Sequence, residues 1–261
     1  MPISRFLRRA NDALASDQLW SEVLASSSLF DDLDRARRAD LRDLAIRFCA
    51  SVHFSGARGF EVTPFVQLSI AAQACLLVLD LGLEHFSEVR TVIVYPEAFV
   101  AYREEEDDIG IVHSGYEALD GESIEQGAVV LAWEEARPRR HDAPTNLVLH
   151  EFAHKLDEGT GTCNGLPVLA SQALRAGWRQ TFGDAFEHLC ASLNEREDDL
   201  GFDDYAATSP SEFFAVCVEY FFVSPQDLLE IFPEVHAVLA AYFGGRKVTF
   251  RAKIVNPTRQ N

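Results

Sequence analysis

The sequence predicts an α+β fold, with helices packed on a small mixed or antiparallel sheet. Helical spacing of apolar residues dominates the first ninety residues. Short β-branched runs follow between residues 91 and 133. From Pro144 almost to residue 243 the pattern is helical again. Strands grouped between two helical blocks are the mark of that class.

The elements justify themselves in order. Residues 35–50, RARRADLRDLAIRFCA, and 65–82 carry apolar side chains at helical spacing. The most apolar stretch, SIAAQACLLVLDLGL (69–83), is broken by Gln73 and Asp80. It is too short to span a bilayer and reads as a buried helix. TVIVYP (91–96) reads as a strand ended by Pro96, and IGIVHSG (109–115) and GAVVLAW (127–133) read the same way. REEED (103–107) and the Asp120-Gly121 pair mark loops or turns. One helix is expected over 145–157, stopped near Gly159, with others over 168–182, 184–196, 210–223 and 226–243. The stretch DDLGFDDYAATSPS (198–211) is polar and turn-rich, and KVTFRAKIV near the end is a last strand or a loose end. The expected organisation is a helical region, 1–88, packed on a region that holds the strands and the later helices, 89–243, with a tail, 244–261, in one compact domain.

Composition narrows the function classes. The 261 residues are 48% hydrophobic, enough for a core, and the formal charge is −18. A surface that acidic repels phosphate backbones and anionic membranes, so no direct nucleic-acid or membrane partner is expected. Five widely spaced cysteines with no CxxC argue against a disulfide framework and against a cysteine zinc site. The N-terminus begins basic but lacks the apolar run of a signal peptide. A soluble, cytoplasmic protein is expected.

The chemistry sits in LHEFAHKLDEG (149–159). Residues four apart lie on one face of a helix, so His150 and His154 can meet one ion. Glu151 points slightly aside, where it can act as base on a water activated by that ion. Leu149, Phe152, Ala153 and Leu156 form a separate apolar stripe that anchors the helix.

A catalytic zinc keeps three protein ligands. The extended pattern HExxHxxGxxH is excluded, because position 157 is Asp and position 160 is Thr. The alternative is a later acid. Glu212 opens SEFFAVCVEYFF (211–222), the most aromatic helix of the chain, where a carboxylate needs a partner. The same residue also completes a capping-box pattern with Ser209 and Pro210, so on the residues alone both readings stand. Glu219, two turns on, could orient a ligand histidine or reach solvent, and Asp157 is a weaker candidate for the same supporting role. Tyr205 precedes Glu212 by seven residues. Its phenol could donate to an oxyanion, or simply pack.

Together, HEFAHKLD and YAATSPSEFFAVCVEYFF resemble the Mlc titration factor A family of zinc-dependent peptidases. VRTVIVYPEAFV (89–100), SGYEALDGESIEQGAVVLAWEEA (114–136), FPEVHAVLAAYF (232–243) and RDLAIRFCASVHFSGARGFEVT (42–63) look like that family too. The C-terminal half is also similar to the catalytic domain of anthrax lethal factor, through HEFxH followed by a tyrosine seven residues before the glutamate of an EFF segment. The lethal factor carries a second glutamate one turn after that one. Here the position is Val216.

The resemblance implies a zincin-like metallopeptidase with one Zn2+ per chain, held by His150, His154 and Glu212. It implies Glu151 as general base and Tyr205 as oxyanion stabiliser in peptide-bond hydrolysis, with a leaning toward aminopeptidase activity. GAVVLAW would be the edge strand on which a peptide docks through Val129, Val130 and Leu131. The family name implies a rival function linked to sugar uptake: an interaction protein that binds and sequesters a glucose-pathway transcriptional repressor.

Overall fold

The computed structural model describes residues 13–97, 99–106, 112–119, 121–124, 127–140, 144–195 and 200–244. Many of its helices begin at caps written in the sequence. Ser16, Asp34, Thr63, Asn146 and Ser209 each accept a hydrogen bond from a backbone N–H in the first turn of the helix that follows. The helices are α1 (Asp17–Ser26), α2 (Arg35–Ser51), α3 (Pro64–Leu77), α4 (Trp133–Ala136), α5 (Leu147–Glu158), α6 (Gln172–Glu195), α7 (Pro210–Val223), α8 (Pro225–Ile231) and α9 (Pro233–Tyr242). The strands are β1 (His53–Gly56), β2 (Thr91–Tyr95), β3 (Phe99–Glu106), β4 (Val112–Leu119), β5 (Gly121–Ile124) and β6 (Ala128–Ala132).

The fold is mixed α and β, and the main sheet has the order β1-β2-β6-β5. β1 pairs with β2 and β2 with β6 in parallel, with Val92 opposite Val129 and Val94 opposite Leu131. β5 adds antiparallel to β6. The sheet is therefore mixed and mainly parallel. Parallel neighbours need a crossover, and between β1 and β2 that crossover carries α3. β3 and β4 form a separate antiparallel hairpin.

The structure departs from the sequence reading in several places. β1 lies inside the block expected to be all helical, and it joins that block to the sheet. Residues 103–106 belong to strand β3 rather than a loop, and Gly121 opens β5. The helices expected over 168–182 and 184–196 are one, α6, which runs through Gly183. A glycine costs a helix only about 1 kcal/mol, and α6 buries Trp178, Phe182 and Leu189 on both sides of it. The helix expected over 226–243 is two, because Pro233 has no N–H to donate and its ring blocks the preceding turn. The pattern at 247–255 lies outside the described residues.

The largest correction concerns GAVVLAW. β6 is not an edge. Both of its sides are hydrogen-bonded, to β2 and to β5, and Val129, Val130 and Leu131 are 0%, 4% and 0% exposed. A peptide cannot add to it. Strand propensity is local, but which strand ends a sheet is decided by what packs beside it.

The core is one cluster of buried apolar side chains running from Leu14 to Phe243. The motif helix α5 is pinned to it by Phe152, whose ring meets Phe86 at 5.0 Å and Phe48 at 5.6 Å, both edge to face. α7 is pinned through Phe213, Phe214 and Phe221. Each such buried phenylalanine contributes about 2–3 kcal/mol. Among the described residues no helix is long and apolar enough to cross a membrane.

Candidate active site

Asn146 fixes the start of α5, its side chain accepting from Leu149 N at 3.0 Å. One turn in, His150 and His154 share a face, while Leu149, Phe152 and Leu156 bury the other. α7 packs against α5. Its cap Ser209 accepts from Glu212 N at 3.1 Å, and the Glu212 carboxylate turns to the histidines. Half of the capping-box reading is therefore present, and it leaves that carboxylate available.

Three ligand-type atoms converge. Glu212 Oε2 is 3.0 Å from His150 Nε2 and 3.4 Å from His154 Nε2, and the two Nε2 atoms are 3.2 Å apart. Each ring is held from behind. His150 Nδ1 lies 2.8 Å from Glu219 Oε1, and the other oxygen of Glu219 accepts from Asn146 N. His154 Nδ1 lies 3.1 Å from Ser211 Oγ. With Nδ1 donating in both rings, both Nε2 atoms present lone pairs to each other and to a carboxylate oxygen. That arrangement requires positive charge at its centre. Ligands about 2.0–2.1 Å from a tetrahedral zinc stand roughly 3.3 Å from one another, which matches the three separations. The residues fit a divalent cation of the zinc type.

The electrostatics agree. Burial disfavours charge on His150, but its bonds to Glu212 and Glu219 outweigh burial and raise its pKa well above the usual range. Burial likewise works against the Glu212 carboxylate, and its bonds to the two histidines overcome this and hold it well below the usual carboxylate range. Each shift reports a site that demands a cation or proton between these groups.

Glu151 is different. It is 5% exposed, and its Oε2 has no hydrogen-bond partner. Burial pushes its pKa up to about 7, against the pull of His150 and His154. A carboxylate poised near neutrality beside a cation site is suited to taking and returning a proton.

Asp157 is wholly buried. It accepts from Gly165 N at 2.7 Å, Leu166 N at 2.8 Å and Ser211 Oγ at 3.0 Å. Burial raises its pKa, opposed by those bonds. Tyr205 stands in the short turn Asp204–Ala207, 53% exposed, with its ring 6.1 Å from that of His150. It borders the site from the solvent side. Sequence reasoning missed Ser211, although its place immediately before Glu212 was a usable signal. It also missed Asn146, which both caps α5 and holds Glu219.

Comparisons with known proteins place the chain in a family. The model of the family described as "Glucose-regulated metallo-peptidase M90" matches residues 4–244. A protein of Klebsiella pneumoniae (strain 342) named Mlc titration factor A is 36% identical over 236 residues, covering 86% of this chain and 85% of its own length. A protein of that name from Cronobacter sakazakii is 34% identical, covering 90% and 89%. One from Edwardsiella ictaluri is 39% identical, covering 70% of each chain. On the family match and these identities, the chain belongs to the glucose-regulated metallo-peptidase M90 family.

Proposed function

We propose that this protein is a zinc-dependent peptidase, with His150, His154 and Glu212 holding one zinc ion. The observation that carries the reading is the convergence of these three groups beside a buried carboxylate, Glu151, that has an unsatisfied oxygen. Bound there, zinc would supply an electrophile that acidifies water and polarises the peptide carbonyl. Glu151 takes the proton of the attacking water and returns it to the departing nitrogen. Tyr205 donates its O–H to the carbonyl oxygen as that atom gains charge. Glu219 fixes the ring of His150. Among the described residues β5 is hydrogen-bonded on one side only, and it lies against α5. Its open edge is where an extended peptide can add. An aminopeptidase is the form of activity we favour. Free thiols at Cys49, Cys75, Cys190 and Cys217 suit a reducing cytoplasm. Glu151→Gln is expected to keep the zinc and lose peptide hydrolysis by at least about 100-fold. Unchanged turnover in a zinc-loaded variant would sink the reading.

A second function rests on the name shared by the relatives, Mlc titration factor A. In this reading the protein binds and sequesters a transcriptional repressor of the Mlc type, linking it to sugar uptake. A charge of −18 favours a partner with a basic, DNA-binding face. A repressor held equally by wild type and Glu151→Gln would separate this function from hydrolysis.

A further inference from the structure

The two halves of the ligand set come from helices 62 residues apart in sequence, counted from His150 to Glu212. Something must fix α5 against α7 with the accuracy that coordination demands. One contact chain does this. Ser211 Oγ is 3.1 Å from His154 Nδ1 and 3.0 Å from Asp157 Oδ2. Ser211 also adjoins Glu212 in the chain. A single residue of α7 therefore carries one ligand beside it and grips a second ligand on α5.

The donor count sets the direction of each bond. Asp157 already accepts from Gly165 N and Leu166 N, and an ionised carboxylate only accepts. Ser211 has one hydroxyl proton, which goes to Asp157. Its lone pairs then face His154, so His154 must donate from Nδ1, leaving Nε2 to the ion. Asp157 is held in turn by Gly165, whose carbonyl accepts from Trp178 Nε1 at 2.7 Å. Gly165 adopts a φ of +75°, and a Cβ there would stand 2.5 Å from Pro210 O. Only a glycine lets this backbone reach Asp157 while lying against the start of α7.

We infer that Ser211 and Asp157 are a positioning pair: through the chain Asp157–Ser211–His154 they select the Nδ1–H tautomer of His154 and lock its ring in register with Glu212. The inference rests on the metal-site reading given above. Its function is analogous to that of Glu219 behind His150, but it acts through a hydroxyl and ties the site to the 164–166 backbone.

The test is zinc affinity measured by competition with a chromophoric chelator on the whole chain, with melting of the metal-free protein recorded alongside. Ser211→Ala is expected to weaken zinc binding about 10- to 100-fold while the metal-free protein still melts cooperatively. Ser211→Thr, which restores the hydroxyl, is expected to recover most of that loss. A residue that only packed would lower the melting temperature and leave affinity unchanged. In zinc-loaded wild type, a His154 Nδ1–H proton resonance protected from exchange with water is expected, whether or not the alanine variant folds. A folded Ser211→Ala with wild-type affinity, or a His154 Nδ1–H that exchanges freely, overturns the inference and leaves the metal site standing. Wild-type protein that binds no zinc overturns both.

Discussion

Helix α5 carries two carboxylates buried to nearly the same depth, Glu151 in its first half and Asp157 at its end, with 5% and 0% of their surface exposed. Their surroundings are opposite. Asp157 has three donors, from two backbone N–H groups and a serine, while Glu151 keeps an oxygen with no partner. A buried acceptor with all its donors supplied rigidifies what surrounds it. A buried carboxylate left short of partners raises its own pKa and remains available to a proton that comes and goes. One end of the helix is built for structure and the other for chemistry, from the same functional group.

The strongest way to break this comparison is to remove the satisfied carboxylate. Asp157→Ala strands Gly165 N, Leu166 N and the Ser211 hydroxyl in the interior. A loss on the order of 3–5 kcal/mol is expected, seen as a lower urea midpoint. A loss under about 1 kcal/mol would mean that these bonds are not holding the 164–166 backbone.

Removing the unsatisfied carboxylate should do the reverse. The folded pKa of Glu151, about 7, lies above its ordinary value of 4.5. Between those values the folded state binds more protons than the unfolded state, so stability falls as pH rises through the window. In metal-free protein, Glu151→Gln should therefore be no more stable than wild type near pH 4.5. By about pH 8 its advantage should approach 2–3 kcal/mol. Thermal melts of both proteins across that range check it. A variant less stable than wild type at about pH 8 would show that the Glu151 charge is satisfied after all.

The smallest effect sharpens the other side. Gly165→Ala puts a side chain at positive φ against Pro210 O. A destabilisation of about 1–3 kcal/mol is expected in chemical denaturation, with zinc affinity falling in parallel because Asp157 is displaced. Stability lost with affinity intact would detach Gly165 from the His154 support.

Much of the site was legible because the helix period is a local rule. The spacing of His150 and His154, the apolar stripe opposite them, and the cap at Ser209 all follow from neighbours within a turn or two. Glu212 was legible only as one of two alternatives, since a carboxylate in a first turn can serve the backbone or something distant. Tyr205 could be named but not placed. Ser211 went unread because a serine in a first helical turn is common, and its partners His154 and Asp157 lie more than fifty residues away in sequence. In the fold, the uninterrupted run of α6 through Gly183 shows the same limit, because it depends on how much burial the helix gains once packed. The break before Pro233 is the opposite case, a local rule present in the sequence and not applied to it.

By itself, then, the sequence determined the motif helix, the pairing of its histidines, the charge and the overall mixture of helices and strands, because all of these depend on local periodicity and residue chemistry. Only the tertiary structure decided that Glu212 turns to the histidines, that Asp157 is satisfied and Glu151 is not, and that β6 lies inside the sheet with β5 at its edge. Those outcomes depend on which elements pack together across the core, and that is settled by shape and burial summed over the whole chain.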